Sequence, residues 1–478
     1  MERSTESIHS QEVTEYILPP LFDLQVNGYG GVWFTSPSLR EEEVRQVARG
    51  LAQTGVAKFC PTLTTSSREC TLHSLRTIAA ACKGSSTKSS GDSENGAELA
   101  EQIPGIHLEG PYISAEDGPR GAHPLRWCRA PDRGEFRDFQ DAAQGRIRIV
   151  TLSPEYDTSI EFIGWLVDQG IRVAIGHTSA TPEQIHAAVD AGASFSTHLG
   201  NGSHAVLPRL RNYLWAQLAD ERLSATLIAD GFHLPDEPLQ VFLRCKGPQR
   251  ACLVSDLAGV AGLPPGEYRS ELCRMELLED GRLVVAGQRE FLAGAASPLL
   301  NGVANLVTRF GYTLEDAWRL ASIRPAEIFD PTSIDPTSTR KYTPPHLPLR
   351  SHPLNGDPLG DPLRSPSPVD LGYSHSTTGC RSTGANVHEF AKLSEKRILS
   401  SPTSIGDQTG NPTNRERIGD EQTVETPTRV TPERESFCRV QVRQTPEEYT
   451  LHVLTVVLNG RILKTETLSN PSREPPLL

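Results

Sequence analysis

The 478-residue sequence lacks the marks of several large protein classes. Its nine cysteines are scattered from Cys60 to Cys438 without a Cys-x-x-Cys pair, which argues against a disulfide framework and for a reducing compartment. No run approaches the ~18 apolar residues of a membrane span, and residues 1–16 hold no apolar signal-peptide core. The net charge is −12 and no basic stripe occurs, which argues against nucleic-acid binding. We therefore expect a cytoplasmic protein that binds neither membranes nor nucleic acid.

Eight short apolar runs are present, and the stretches between them carry helix signals, a pattern typical of repeated βα units. The segment 181–184, Thr-Pro-Glu-Gln, combines an N-cap, a proline at the first helical position and a capping-box glutamine. A similar helix start is predicted at Thr313. Eight strands are what a closed barrel requires, so we predict an α/β fold, a TIM-type (β/α)8 barrel over residues 20–330. The predicted strands are 21–27, 56–62, 103–109, 147–153, 171–177, 194–198, 224–230 and 251–256.

Polar residues end several of these runs. Glu109, His177, His198 and Asp256 follow four different predicted strands, and the carboxyl ends of barrel strands form the face that carries active sites. Any one of them alone is more often an ordinary hydrogen-bonded loop residue. As a set, one carboxylate and two imidazoles suit a divalent metal ion with an open position for water. Asp256 is left to handle protons on that water, which is the equipment of a metal-assisted hydrolase.

The first predicted strand bears on the number of metal ions. Some metal-dependent barrel hydrolases carry His-x-His there, whereas this chain has Gln25 and Asn27, and amides are poor ligands for zinc. No lysine ends the fourth run to bridge two ions. We therefore predict one divalent ion, zinc in the first place, with iron or another divalent ion as the alternative. Gln25 and Asn27 are expected to be structural residues near the metal, or simply to hydrogen-bond loop backbone.

Two regions depart from the barrel rhythm. Residues 83–98 form a polar, Gly/Ser-rich stretch that predicts a loop. Residues 331–435 are rich in Pro, Ser and Thr, a composition that cannot bury enough apolar surface to offset chain entropy, and we predict a disordered insertion or linker. Two strands around an Asn-Gly turn are predicted within 447–468. The predicted organisation is thus an N-terminal segment 1–19, the barrel 20–330, the insertion 331–435 and a C-terminal hairpin of a reduced small β-domain at 436–478.

Several motifs together resemble the amidohydrolase superfamily, and within it the N-acetylglucosamine-6-phosphate deacetylases. They occur in that family's order and with comparable spacing between about residues 20 and 330. The matching pieces are FDLQVNGYGG (22–31), HLEGPYIS (107–114), RGAHP (120–124), IGHTSAT (175–181), STHLGNG (196–202), IADGFH (228–233), VSDLAG (254–259) and LAGAASPL (292–299).

The resemblance implies a role for each matching residue. Glu109, His177 and His198 would bind one divalent metal, and Asp256 would be the general acid and base. His233 would orient the substrate or stabilise the developing oxyanion. The substrate, an amino-sugar phosphate that loses its N-acetyl group, would be contacted by His123, Asn201, Gly202, Arg209, His233, Leu292 and Ala293. Family members are typically homodimers that complete the site across the interface.

The chain also departs from that family. It has about twenty residues before the first barrel strand where members have some fifty, and Asn201-Gly202-Ser203 replaces the usual Asn-Ala-Met. Arg209 has a neighbour, Arg211, so an ordinary surface position is the alternative for it. Two other functions stay open on the sequence. One is hydrolysis of another N-acyl amino sugar or an N-acyl amino acid, and the other is a non-catalytic metal-binding barrel that acts as a scaffold for the long insertion.

Overall fold

The structure is a computed structural model, which describes residues 12–83, 96–270, 274–333, 436–444, 449–459 and 461–465. The predicted loop at 83–98 lies outside the described residues except at its two ends, which are helical. The predicted insertion at 331–435 also lies outside them, apart from a short 3-10 turn at Pro331–Ser333.

The strands, numbered in chain order, fall into four sheets. Their bounds are β1 (Glu12–Leu18), β2 (Leu21–Val26), β3 (Gly28–Tyr29), β4 (Val32–Trp33), β5 (Val56–Thr64), β6 (Ile106–Glu109), β7 (Ile147–Leu152), β8 (Arg172–Ile175), β9 (Phe195–Ser196), β10 (Ser224–Ile228), β11 (Ala251–Val254), β12 (Gly266–Arg269), β13 (Arg274–Leu277), β14 (Leu283–Val285), β15 (Gln288–Leu292), β16 (Phe437–Gln444), β17 (Tyr449–Leu458) and β18 (Arg461–Thr465).

The helices lie mainly between the barrel strands. Their bounds are α1 (Glu41–Gln53), α2 (Arg68–Lys83), α3 (Gly96–Gln102), α4 (Arg133–Ala142), α5 (Ser159–Val167), α6 (Pro182–Asp190), α7 (Tyr213–Ala219), α8 (Asp236–Arg250), α9 (Leu299–Phe310), α10 (Leu314–Ala321) and α11 (Ile323–Phe329); a 3-10 turn spans Leu125–Trp127. The predicted starts of α6 and α10 are confirmed. Thr181 and Gln184 form a capping box, and the Thr313 side chain accepts a hydrogen bond from the Asp316 backbone N–H. No described helix is long and apolar enough to cross a membrane.

The eight-stranded parallel sheet confirms the predicted barrel. Its strand order is β11-β10-β9-β8-β7-β6-β5-β2, and an isolated parallel bridge joins Val26 of β2 to Leu257, three residues after the end of β11. Most residues of these strands are buried because the helices cover the outside of the barrel and side chains fill its interior. The carboxyl ends of all eight strands therefore open onto one face, where the polar motifs lie.

A second sheet joins the two ends of the chain. Its order is β1-β16-β17-β18, all antiparallel, and β1 pairs with β16 from Glu12↔Gln444 to Leu18↔Cys438. The small β-domain is thus present, with one more C-terminal strand than predicted, and the predicted N-terminal segment 1–19 contributes strand β1 to it. The sheet packs on the barrel, where Lys464 donates to the Gln53 carbonyl at 2.9 Å.

A third sheet, β12-β13-β14-β15, is inserted between β11 and α9 and was not predicted from the sequence. Its strands have three to five residues, too short for the alternation of polar and apolar residues to be distinctive. Met275 and Leu277 pack with Ala258 and Ala293 in a small apolar cluster of their own. This insertion covers one side of the face on which the barrel strands end.

Candidate active site

Three of the predicted residues converge at the carboxyl ends of strands. Glu109 ends β6, His177 follows β8 and His198 follows β9. His198 Nε2 lies 2.9 Å from Glu109 Oε1 and 3.1 Å from His177 Nε2, and the third side of this triangle is 3.3 Å. In a tetrahedral zinc site with metal–ligand distances of about 2.0–2.1 Å, the ligand atoms are about 3.3 Å apart. The triangle therefore has the dimensions of three ligands of one ion.

The hydrogen-bond partners of these side chains also agree with a cation site. His177 Nδ1 lies 2.8 Å from the Pro119 carbonyl oxygen, so Nδ1 carries a hydrogen and Nε2 is the ring nitrogen turned toward Glu109 and His198. His198 Nδ1 is buried and has no hydrogen-bond partner within the described part of the chain. Burial disfavours ionised Glu109, but the contacts with both imidazoles outweigh it and hold the pKa of Glu109 well below its usual range. A carboxylate oxygen and two imidazole nitrogens facing one buried point are the donor set of a divalent ion.

Asp256 lies beside this triangle and is held by two amides. Its Oδ1 accepts hydrogen bonds from Gln25 Nε2 at 2.9 Å and from Asn27 Nδ2 at 2.8 Å. Gln25 Nε2 also donates to Glu109 Oε1 at 2.8 Å, so one amide group links the two carboxylates. Gln25 and Asn27 thus hydrogen-bond carboxylates beside the candidate metal site, and their structural role there stays a prediction. Burial, together with the charge of Glu109, raises the pKa of Asp256 to about 6, close to the range in which a general base works best.

Three of these residues have a backbone conformation that side chains other than glycine rarely adopt. The φ angles are 48° at His177, 27° at His198 and 55° at Asp256. Such strain costs about 1–3 kcal/mol per residue and persists only where the surrounding structure enforces it. In this barrel, the strained conformation occurs at residues whose side chains turn inward over the carboxyl ends of the strands.

These residues line a cavity of about 250 Å³. One wall is apolar, from Trp33 together with Met275 of the inserted sheet, and the other walls carry the polar groups. Arg209 is not among the lining residues; it is exposed, and its backbone carbonyl accepts a hydrogen bond from Trp215 Nε1. The other predicted residues all line the cavity except Gln25, which lies beneath it: Asn27, Glu109, His123, His177, His198, Asn201, Gly202, His233, Asp256, Leu292 and Ala293.

His123 is fixed in the cavity wall by a residue that the sequence analysis did not single out. The backbone N–H of Thr65 points at His123 Nδ1 at 3.3 Å, and the Thr65 hydroxyl lies 2.8 Å from the same nitrogen. Burial lowers the pKa of His123 to about 3, so the ring is neutral. Because Nδ1 accepts, the ring hydrogen lies on Nε2. His123 is thus a hydrogen-bond donor through Nε2.

Asp230 was quoted in the Asp-Gly-Phe-His motif but given no role of its own. Its Oδ2 lies 2.7 Å from His233 Nδ1. Thr65 and Asp230 both act on a histidine already predicted to contact substrate. The signal for Asp230 was its position three residues before His233, whereas Thr65 lies 58 residues from His123 and only the fold brings the two together.

Comparison with known proteins gives a consistent picture, although no protein-family model matches the chain. N-acetylglucosamine-6-phosphate deacetylase of Mus musculus is 34% identical over 324 residues, covering 65% of this chain and 74% of the relative. N-acetylgalactosamine-6-phosphate deacetylase of Escherichia coli O157:H7 is 31% identical, covering 66% and 78%. Among solved structures, a mutant N-acetyl-D-glucosamine-6-phosphate deacetylase of Mycobacterium smegmatis in complex with N-acetyl-D-glucosamine-6-phosphate has a TM-score of 0.58 and 29% identity, covering 66% of this chain and 77% of that one. The chain therefore belongs to the N-acetylglucosamine-6-phosphate deacetylase family of the amidohydrolase superfamily.

Proposed function

We propose that the protein hydrolyses the N-acetyl group of N-acetylglucosamine 6-phosphate to give glucosamine 6-phosphate and acetate, in amino-sugar catabolism. The observation that carries this proposal is the triangle of Glu109, His177 and His198 with Asp256 held beside it in one cavity. This arrangement matches the needs of amide hydrolysis, and the family relatives act on acetylated amino-sugar phosphates.

The proposal includes one divalent ion, zinc in the first place, held by Glu109, His177 and His198. When bound, such an ion polarises the amide carbonyl and lowers the pKa of water in the cavity. A second ion would have to be held by the amides of Gln25 and Asn27, and amides are poor ligands for zinc. Both amide groups also donate hydrogen bonds to carboxylates. These contacts support one ion rather than two.

The chain's own groups would then move the protons. Asp256 Oδ1 is occupied by the two amides, which leaves Oδ2 to take a proton from the attacking water and return it to the leaving amine. His233 would stabilise the negative charge that develops on the acetyl oxygen. His123, as an Nε2–H donor, would hydrogen-bond the sugar. Leu292 and Ala293, in the cavity wall, would contact the substrate as well.

Phosphate binding is assigned to Asn201 and Gly202, which line the cavity. Arg209 lies in an exposed stretch of the same loop, next to Val206 and Leu210, whose exposed fractions are 86% and 83%. A protruding loop with two exposed apolar side chains supports a homodimer in which Arg209 serves the partner's site. The buried cysteines Cys60 and Cys252 are free thiols, which supports the proposed cytoplasmic location.

The test is acetate release from N-acetylglucosamine 6-phosphate by the zinc-loaded protein, with Asp256→Asn and an Asp138→Asn control. Asp138 is exposed and forms an ion pair with Arg68 on the surface. We expect turnover in the wild type and the control, and a loss of at least about 100-fold in Asp256→Asn with metal retained. Equal rates on unphosphorylated N-acetylglucosamine would refute the phosphate requirement. No turnover in a folded, metal-loaded protein would point to the other acyl substrates or to the scaffold.

A second substrate is favoured by one observation, the relative from Escherichia coli O157:H7 that is named for N-acetylgalactosamine 6-phosphate. The two sugars differ only in the configuration at C4, far from the acetyl group. The same assay with both sugars, compared through kcat/KM, decides which one this cavity prefers.

A further inference from the structure

Asp230 and His233 form a buried pair at the carboxyl end of β10. The exposed fractions of their side chains are 5% and 10%, and His233 Nδ1 lies 2.7 Å from Asp230 Oδ2. The other carboxylate oxygen, Oδ1, accepts hydrogen bonds from the backbone N–H groups of Phe232 at 2.8 Å and His233 at 2.9 Å. The turn between the two residues passes through Gly231 with a φ of 86°, a left-handed conformation that suits glycine. The pair is therefore held in one short, rigid turn.

The carboxylate has few other partners within reach. Arg309 lies against Gly231, where an added Cβ would come within 2.4 Å of Nη1, but its guanidinium forms an ion pair with Asp236 at 2.5 Å. The contacts with His233 and the turn N–H groups outweigh burial and lower the pKa of Asp230, so the side chain stays ionised. The imidazole is thus the main group with which this buried charge interacts.

A carboxylate can only accept hydrogen bonds, so His233 must carry a hydrogen on Nδ1. The ring nitrogen left for the cavity is then Nε2, as an acceptor in the neutral ring or as a donor in the imidazolium. His123, across the same cavity, is set the other way, because the Thr65 backbone N–H makes its Nδ1 an acceptor. The two histidines therefore differ in protonation pattern, and each pattern is imposed by a neighbour that does not line the cavity.

We propose that Asp230 is a positioning residue for the hydrolysis, acting entirely through His233. Its carboxylate keeps a hydrogen on Nδ1, fixes the ring plane and stabilises positive charge on the ring. In the imidazolium form, His233 Nε2 then donates a hydrogen bond to the oxygen that becomes negative when water attacks the acetyl carbon. This inference rests on the proposed function for its chemistry, but the protonation pattern of His233 can be measured without any substrate.

Asp230→Asn is the test variant because it changes one interaction. The amide oxygen can still accept the two backbone N–H groups of the turn, whereas the amide NH2 would face His233 Nδ1 as a donor. The ring hydrogen should then move to Nε2, so the ring can still donate one hydrogen bond into the cavity but no longer has the carboxylate that stabilises its positive charge when the oxyanion forms. We expect kcat to fall by about 100-fold or more with KM changed less than about threefold. The matched control is Asp132→Asn, since Asp132 accepts from the Glu135 backbone N–H at a helix start and touches no imidazole.

Two measurements separate positioning from a general structural role. In a double-mutant cycle, Asp230→Asn combined with His233→Gln should be no slower than His233→Gln alone; additive losses would overturn the proposal. Nitrogen-15 NMR of the His233 ring in the full-length, metal-loaded protein should show hydrogen on Nδ1 in the wild type and on Nε2 alone in Asp230→Asn. An unchanged ring in the variant would also overturn it. The NMR result stands even if N-acetylglucosamine 6-phosphate is not the substrate, so the two proposals can fail separately.

Discussion

Replacing Gln25 by leucine removes a side-chain amide that hydrogen-bonds both Glu109, a proposed metal ligand, and Asp256, the proposed general base. Gln25 is 1% exposed, and its Nε2 donates to Glu109 Oε1 at 2.8 Å and to Asp256 Oδ1 at 2.9 Å. Leucine has a similar size and fills the space without a donor. Two buried carboxylates, which repel each other, then each lose one hydrogen bond.

The expected cost follows from the kind of bond that is lost. A hydrogen bond to a charged group contributes about 1.5–3 kcal/mol, so the two bonds together contribute about 3–6 kcal/mol to the free energy of unfolding. Asp256 keeps the Asn27 donor, and Glu109 keeps its contacts with His177 and His198. In the proposed mechanism, catalysis depends on one of the two lost bonds, the one that orients Asp256. Its contribution of about 1.5–3 kcal/mol corresponds to a loss of roughly 10- to 100-fold in kcat.

The assay is urea unfolding of metal-free Gln25→Leu at neutral pH, together with kcat on the proposed substrate. The matched control is Gln217→Leu, because Gln217 is also buried, at 3% exposure, but its side chain makes only a neutral bond to the Tyr213 carbonyl. We expect the control to lose about 1 kcal/mol and to keep its activity. Equal destabilisation of the two variants, or unchanged kcat in Gln25→Leu, would refute the reasoning.

Three further predictions concern metal binding, pH and packing. Gly202→Ala would place a Cβ 2.6 Å from His177 Nδ1, at a residue whose φ is 58°. We therefore expect the affinity for zinc, measured by competition titration, to fall at least about tenfold. An unchanged zinc affinity would contradict this close approach. Burial raises the pKa of Asp23 to about 7 despite its bonds to Ser255, so its contribution to stability is complete below pH 4 and is lost as pH rises to 7. Asp23→Asn should therefore gain up to about 4 kcal/mol relative to wild type between pH 4 and 8 in urea unfolding, and a constant offset would count against this. The Lys246 ammonium group donates hydrogen bonds to three backbone carbonyls at 2.5–3.0 Å. Lys246→Met should therefore lower the free energy of unfolding by about 2–4 kcal/mol. A change below about 0.5 kcal/mol would show that the cost of burying the ammonium group equals the stabilisation from these hydrogen bonds.

The barrel could be predicted from sequence because its signals are local. Each strand is a short apolar run, and α6 begins with a threonine cap, a proline and a capping-box glutamine that lie within four consecutive residues. The inserted sheet β12–β15 gave no such signal, since its strands are short and β12, for example, alternates only between half-buried and exposed residues. The strand β1 was missed because its partner, β16, lies more than 400 residues away in sequence.

The candidate site shows the same division. The position of Glu109, His177 and His198 after separate strands was enough to predict that they meet, because parallel strands of a barrel end on one face. Neither the left-handed backbone at the two histidines nor the bridging amide of Gln25 could be read from the sequence, since both depend on packing between strands. Arg209 was predicted to contact the substrate, with an ordinary surface position as the alternative; in this chain it is exposed and is not among the residues that line the cavity.

The sequence by itself determined the barrel, the types of side chain at its rim and hence the class of chemistry, because apolar period, capping residues and ligand types are properties of short segments. Only the tertiary structure decided the protonation pattern of each histidine, the partner of each carboxylate and the shape of the cavity. Those properties arise from distances between atoms that lie tens to hundreds of residues apart, such as Gln25 and Asp256, 231 positions away in the chain. Whether a hydrogen bond forms depends on a donor–acceptor distance defined to within a few tenths of an ångström, and no local pattern in a sequence specifies that distance.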